Sequence, residues 1–387
     1  MSAVAITDLA KTFPGGEIGL RPTTLAVEPG EHLALLGPTG SGKSTLLRLI
    51  AGLEAPTAGE VRVNGVRVDR LPPHRRGVAL LPQRVALYPH LTVAENLNLV
   101  SREAQPPERS AAATSRGGGG RGDGDPLPPS AAQSLRHLAN QLLNLEPLLT
   151  RCPHQLSGGE RQRVALAKLA SRPVSVWLLD EPFTGLDPVF RSDFRSDLHL
   201  LIRAAGATML MVTHDPTDAL ALGRRVGVLG AGELQQIGTP DELARRPGNR
   251  FVAHCLGRLS LIDGRVGGGE SAAPVFRAAD GTVSGPVPGS ILGWLGPASN
   301  LTLGIRPEDV RIGTPENPPP GAVLTGWPVV SAEPVGSGWL LTVARGGGRL
   351  RVGWPSGSPP PVGTPVDLFL PADRCLWFDG TTGIALS

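Results

Sequence analysis

Lysine is nearly missing from this 387-residue chain. It occurs at Lys11, Lys43 and Lys168, and arginine carries almost all the positive charge. That preference reads as genomic composition bias. Net charge is small, +3, too mild to argue for a nucleic-acid partner. Cysteine is scarce too. Cys152, Cys255 and Cys375 lie far apart and form no CxxC pair, which argues against a disulfide framework or zinc site and fits reduced thiols in a cytosol. No apolar run approaches the roughly eighteen residues of a membrane span. The N-terminal MSAVAITDLAKTF puts acidic and polar residues where a secretory signal needs an unbroken apolar core. If this chain works at a membrane, other chains must cross it.

Glycine and proline, by contrast, are abundant at 51 and 39 residues. They punctuate a readable order. EHLALLG (31–37), VWLLDE (176–181) and ATMLMVTHD (207–215) are short apolar runs ending in glycine, acid or polar residues. Separated by helical spacing, they read as buried strands of an α/β core, with ligands expected at their carboxyl ends. Between Ser101 and Ser134 large apolar residues almost vanish, which predicts a flexible low-complexity insertion. After Gly238, short β-like runs such as LTLGIRP and VDLFLP alternate with Gly/Pro turns. They predict a small all-β barrel over 239–387. It has no basic–aromatic stripe, so no nucleic-acid partner is expected.

GPTGSGKST, residues 37–45, fits G-x-x-x-x-G-K-[ST] between a strand and a helix. Gly37, Pro38, Thr39, Gly40, Ser41 and Gly42 form a loop whose N–H groups can face phosphate oxygens. Lys43 supplies a cation to the β- and γ-phosphates, Ser44 a hydroxyl to Mg²⁺, and Thr45 another to phosphate. The next helix adds its N-terminus to the same anion. Asp180 and Glu181 end an apolar strand, where an uncompensated carboxylate is costly. Magnesium would compensate Asp180, leaving Glu181 to polarise an attacking water. His214 could touch the γ-phosphate and hold that water, although a lone histidine at a strand end is usually structural. Gln83 alone reads as a loop residue that could also sense Mg²⁺ and water. LSGGE, 156–160, alone reads equally as an N-cap serine with a glycine turn.

GPTGSGKST, Gln83, LSGGE, WLLDEP, GLD and THD occur in the order and rough spacing of the ATP-binding-cassette (ABC) ATPases, which the chain resembles over nearly its whole length. The resemblance implies a P-loop ABC ATPase core over 1–238 with a helical subdomain, followed by the all-β domain. It implies ATP and Mg²⁺ as ligands. It also implies a head-to-tail homodimer, or a heterodimer with a related ATPase, in which Ser157, Gly158 and Gly159 act on the partner's ATP. Glu160 stands where the family more often has glutamine, and its side chain is expected to point away from the phosphates. Phe13 matches the aromatic that stacks on adenine, and Asp187 the loop that couples the two sites. ALYPHLTVAENL, after Gln83, resembles the stretch that meets the membrane subunits. LGIRPEDVRI and CLWFDGTTGIAL resemble segments of sugar-importer ATPases with an oligonucleotide-binding-like barrel. The implied setting is the cytoplasmic face of the inner membrane, with two permease subunits and a substrate-binding protein. A sugar or polyol is the first expectation for cargo. Polyamines, metal ions and oxyanions stay open, and a soluble non-transport ABC ATPase of translation or DNA repair is the remaining alternative.

Overall fold

A computed structural model describes residues 2–103, 129–267, 274–296, 299–313, 320–355 and 357–386. The chain divides into two compact units, Met1–Pro240 and Asp241–Ser387. Composition had placed the change after Gly238.

The first unit starts with a hairpin of β1 (Val4–Thr12) and β2 (Ile18–Val27). Next come β3 (His32–Leu36), α1 (Lys43–Ala51), β4 (Ala58–Val63), β5 (Val66–Arg67) and β6 (Val78–Leu81). The helical part holds α2 (Val93–Glu103), α3 (Pro129–Leu142) and α4 (Gly158–Ala170). The chain returns through β7 (Val176–Asp180), α5 (Pro188–Ala205), β8 (Thr208–Thr213), α6 (Pro216–Leu222), β9 (Arg225–Gly230) and β10 (Glu233–Gly238). An antiparallel sheet has the order β2-β1-β4-β5 and a six-stranded sheet the order β10-β9-β3-β8-β7-β6. All pairs in the larger sheet are parallel except β10 with β9.

Strands β7 and β8 are buried end to end, and β3 from its second residue, as expected of parallel strands covered on both faces. Leu46, Leu47, Leu49 and Ile50 of α1 pack in one core with Leu33, Leu35, Leu178 and Val212 of the large sheet and with Ile6, Leu9 and Val61 of the small one. The helix that opens at the phosphate loop is thus held between both sheets. The four strands β3, β6, β7 and β8 run parallel, so Gly37, Gln83, Asp180 and His214 all follow carboxyl ends of one sheet.

Helices extend into the expected insertion from both sides. Ser101–Glu103 end α2, and Pro129–Ser134 begin α3. The Ala- and Ser-rich start of α3 lacks large apolar residues, so composition alone could not separate it from a linker. Its helical face emerges only at Leu135 and Ala139, and Leu143, just past the helix end, continues the buried four-residue spacing. The rest of that expectation, 104–128, lies outside the described residues.

The second unit is all-β after two short helices, α7 (Pro240–Arg245, whose first residue closes the first unit) and α8 (Arg250–Cys255). Its strands are β11 (Ser260–Gly267), β12 (Val275–Ala278), β13 (Ser284–Pro286), β14 (Asn300–Ile305), β15 (Arg311–Ile312), β16 (Gly321–Val335), β17 (Gly338–Arg345), β18 (Gly348–Trp354), β19 (Pro365–Pro371) and β20 (Leu376–Asp379). They form two five-stranded antiparallel sheets, β13-β12-β11-β14-β20 and β15-β19-β16-β17-β18. Both contribute to one core, with Leu301, Leu303 and Trp377 from the first and Trp327, Leu341, Val352 and Leu368 from the second. Among the described residues no helix is long and apolar enough to cross a membrane.

Candidate ATPase site

The phosphate loop leaves β3 through positions that tolerate no side chain. A Cβ on Gly37 would lie 2.2 Å from the Leu229 carbonyl oxygen, and one on Gly42 2.4 Å from that of Gly19. Gly42 also holds φ 96° at the N-cap of α1, a conformation that favours glycine. No side chain caps this helix, so its first N–H groups are left for an anion. Pro38, Thr39 and Gly40 are exposed at the loop tip, and Ser41 is buried. Lys43 is buried as well. Its Nζ donates to the carbonyls of Gly37 (2.8 Å) and Pro38 (2.9 Å), with Ser41 Oγ at 3.4 Å. The cation is thereby held across the mouth of the loop by oxygens that phosphate oxygens can replace.

Ser44 Oγ donates to Asp180 Oδ1 at 2.8 Å. Asp180 is buried at the end of β7, and burial pushes its carboxyl above the usual value, partly offset by the Ser44 hydroxyl. Two hard oxygen donors side by side at the phosphate loop suit Mg²⁺, which takes few protein ligands and completes its shell with water and phosphate. Among the described residues no cluster of three His, Cys, Asp or Glu could form an all-protein cage, so the donor set fits a metal bound together with nucleotide.

Glu181 follows in a left-handed conformation, φ 51°, which costs a non-glycine residue about 1–3 kcal/mol. Its N–H donates to Val212 O at 3.0 Å, and its carboxylate meets His214 Nδ1 at 2.7 Å and Thr184 Oγ1 at 3.3 Å. These contacts from the neighbouring strand end hold the strained residue and aim its carboxylate. His214 is about half exposed while Glu181 is nearly buried, so the pair sits at the rim. Gln83 is exposed beyond β6, and no hydrogen bond joins it to Ser44, Asp180 or Glu181.

Phe13 lies half-buried between the hairpin strands. A Cβ on Gly19 would come 2.5 Å from its ring and 3.2 Å from Thr45 Cγ2. The aromatic therefore approaches the phosphate loop because position 19 has no side chain. Lys11 Nζ stands 5.1 Å from the ring centroid. Sequence reading missed Gly19; its signal was a glycine within an otherwise alternating strand.

Ser157 caps α4. Its Oγ accepts from Glu160 N at 3.2 Å, and Glu160 Oε2 accepts from Ser157 N at 2.7 Å, a reciprocal capping box. The Ser157 N–H, with Arg151 and Arg163 nearby, holds the Glu160 carboxyl below its ordinary value. Glu160 thus turns back onto its own helix start. Ser157, Gly158, Gly159 and Glu160 share a concavity of about 470 Å³ with Gly185, Leu186, Asp187 and Phe190, and none of the residues lining it belongs to the phosphate loop. Behind it, buried Gln162 donates to Pro182 O at 2.7 Å. That bond ties α4 to the turn after Glu181, a link that motif reading did not find.

The family model described as ABC transporter matches residues 20–184, and the one described as TOBE domain matches 303–378. The xylose/arabinose import ATP-binding protein of Haloferax volcanii is 36% identical over 396 residues, covering 100% of this chain and 96% of that protein. The sn-glycerol-3-phosphate import ATP-binding protein of Paraburkholderia xenovorans is 35% identical over 387 residues, 99% of each. An ATP-binding cassette solved as a dimer in a post-hydrolysis state with ADP and Pi superposes with a TM-score of 0.51 at 28% identity. The match covers 61% of this chain and 98% of that one. Motif geometry, end-to-end similarity and fold agree: this chain belongs to the family of ABC transporter ATP-binding proteins, and it is an ATPase with a C-terminal TOBE-type domain.

Proposed function

We propose that the chain is the ATP-hydrolysing subunit of an importer for a sugar or polyol, working with Mg²⁺ as one half of a head-to-tail pair of cassettes. The observation that carries this reading is the pairing of Glu181 with His214 at 2.7 Å, beside the part-buried Ser44–Asp180 pair and buried Lys43. Lys43 would exchange its loop carbonyls for phosphate oxygens. Glu181 would accept a hydrogen bond from the attacking water, and His214 would keep that carboxylate aimed. Water oxygen bonds to the γ-phosphorus as the bond to the β-phosphate bridging oxygen breaks, releasing ADP and phosphate. Ser44 and Asp180, with Gln83, would hold a Mg²⁺ ion, which would supply positive charge to the phosphate oxygens. Phe13 would stack on adenine.

Ser157, Gly158 and Gly159 line a concavity apart from the chain's own phosphate loop, which supports their acting, with Asp187, on the partner's ATP. A mostly apolar groove of about 470 Å³ supports docking of a permease helix. Its lining includes Leu81 at the end of β6, Ala86, Leu87 and Tyr88 after it, and Ala165 and Leu169 of α4. The working setting is then peripheral, at the cytoplasmic face of the membrane, with two permease subunits and a substrate-binding protein. The cargo class follows the names of the xylose/arabinose and glycerol-3-phosphate relatives.

The Glu181→Gln variant tests the core of this reading. It should bind ATP as the wild type does, lose nearly all hydrolysis, and accumulate an ATP-bound dimer in size-exclusion chromatography. Wild-type turnover in that variant removes Glu181 from the reaction. Failure of the native chain to copurify with two polytopic membrane proteins removes the importer assignment.

A further inference from the structure

Asp218, in the first turn of α6, is fully buried, and an ionised carboxylate there demands compensation. Two arginines one turn apart on α5 provide it. Arg191 bonds both oxygens, with Nε at 3.3 Å from Oδ1 and Nη2 on Oδ2, while Arg195 Nη2 reaches Oδ1 at 2.9 Å. The two arginines differ in one respect. Arg191 Nη2 also lies 2.7 Å from Asp215 Oδ2, whereas among the described residues Arg195 pairs with Asp218 alone. Asp215 is the residue after His214 and caps α6 through Thr217 N at 2.7 Å. At its other end Arg191 N donates to Asp187 O at 2.9 Å. One residue therefore joins the GLD turn at the start of α5, through its backbone N–H, to Asp215 beside His214, through its guanidinium. Its bond to Asp218 raises the guanidinium above its ordinary value, so it is charged at every working pH.

We propose that Arg191 is a positioning residue for hydrolysis: by holding Asp218 and Asp215 at once, it locks the His214 turn to the helix that begins at Asp187. A shift of Asp187 at the interface with a second cassette is thereby delivered to His214 of the same chain. This rests on the roles given to His214 and Asp187 above. The arrangement needs a forked donor. Nη2 reaches both Asp215 and Asp218 while Nε adds a second bond to Asp218; lysine ends one bond short of Nη2 and has no second donor nitrogen, so it cannot make the whole set.

The experiment compares full-length R191Q, R195Q, R191K and D215N with wild type, reading thermal stability, affinity for a fluorescent ATP analogue, and the KM and kcat of hydrolysis. R191Q and R195Q both weaken the Asp218 pairing, so both should lose stability. A drop in kcat of about tenfold or more, with KM for ATP nearly unchanged, is expected for R191Q, R191K and D215N and not for R195Q. D215N leaves the Asp218 pairing in place and should fold even if R191Q does not. Wild-type kcat in D215N and R191K, or an equal loss in R195Q, overturns the proposal. H214A is run in parallel. If H214A hydrolyses ATP normally, the role of His214 fails; if H214A is inactive while D215N and R191K are active, the positioning role alone fails.

Discussion

Replacing Glu160 by glutamine separates two effects of one carboxylate. In the capping box, Glu160 Oε2 accepts from Ser157 N at 2.7 Å, and Arg151 Nη1 lies 3.6 Å from Oε1. A glutamine carbonyl can keep the first contact. What it loses is the charge–dipole term at an exposed helix start and a solvated ion pair, together about 0.3–2 kcal/mol. Glu160→Ala also forfeits the bond from Ser157 N, about 1 kcal/mol more. The folded carboxyl titrates below its ordinary value. Its stabilisation is therefore present above the unfolded pKa and lost as pH falls through the lowered folded one, so wild type and E160Q converge in acid. The opposite sign is expected for nucleotide. Were the partner's phosphate charge to come within about 8 Å of this carboxylate, the repulsion would be about 0.5 kcal/mol at the dielectric of water and about 2 kcal/mol at an effective dielectric of 20. E160Q should therefore strengthen ATP-driven dimerisation by about two- to thirtyfold at low salt, read by analytical ultracentrifugation in the Glu181→Gln background, while slightly lowering the urea midpoint at neutral pH. Weaker or unchanged dimerisation in E160Q refutes the reasoning, because the carboxylate would then contribute favourably across the interface or lie far from the phosphates.

Asp180 has its folded pKa raised by burial. Its ionised form thus costs the nucleotide-free fold stability above that pKa, a cost that disappears below the unfolded one. Asp180→Asn should raise the melting temperature of the nucleotide-free protein at neutral pH yet remove Mg²⁺-dependent hydrolysis. In the wild type, the Mg²⁺ concentration for half-maximal hydrolysis should climb as pH falls. Gly19→Ala should push the Phe13 ring aside, since its new Cβ would sit 2.5 Å from Cε2. The expected result is ATP affinity lowered about two- to tenfold, the scale of one aromatic stacking contact, with little change in unfolding. Phe13→Ala in the same background should add nothing further, and full additivity by isothermal titration would disconnect the two residues.

The sequence was most legible where one short stretch carries all of its own constraints. Gly37, Gly42, Lys43 and Ser44 each answer a demand set within a few residues of chain, and the apolar strands that deliver Asp180, Glu181 and His214 announce themselves by burial. The all-β character of the C-terminal unit was legible for the same reason: its strands alternate and its turns are marked by Gly and Pro. Contacts made through space left no such trace. Gly19 looks like any strand glycine until Phe13 and Gly42 are seen to crowd it. The left-handed Glu181 follows from a backbone bond to Val212 on another strand, which no local pattern encodes. Arg191 and Asp218 are ordinary polar residues at helical spacing, and only the docking of α5 against α6 makes one of them a fully buried charge.

Those through-space contacts share a direction. On the head-to-tail reading, each chain meets two nucleotides, one at Lys43 and Glu181 and one at Ser157 and Asp187. Coupling between them inside a chain requires rigid links from the second pair to the first. Two such links exist here. Gln162 fastens α4, the helix that carries the LSGGE signature, to Pro182, next to Glu181, and Arg191 fastens the helix after Asp187 to Asp215, next to His214. Each ends one residue from a member of the Glu181–His214 pair, and that pair is itself closed by a 2.7 Å contact. A displacement of the signature side therefore has two separate routes to the same carboxylate. Loosening either route alone should slow hydrolysis without emptying the phosphate loop, because neither link touches Lys43 or Ser44. Loosening both should cost no more than removing His214, since both act through where that pair is held.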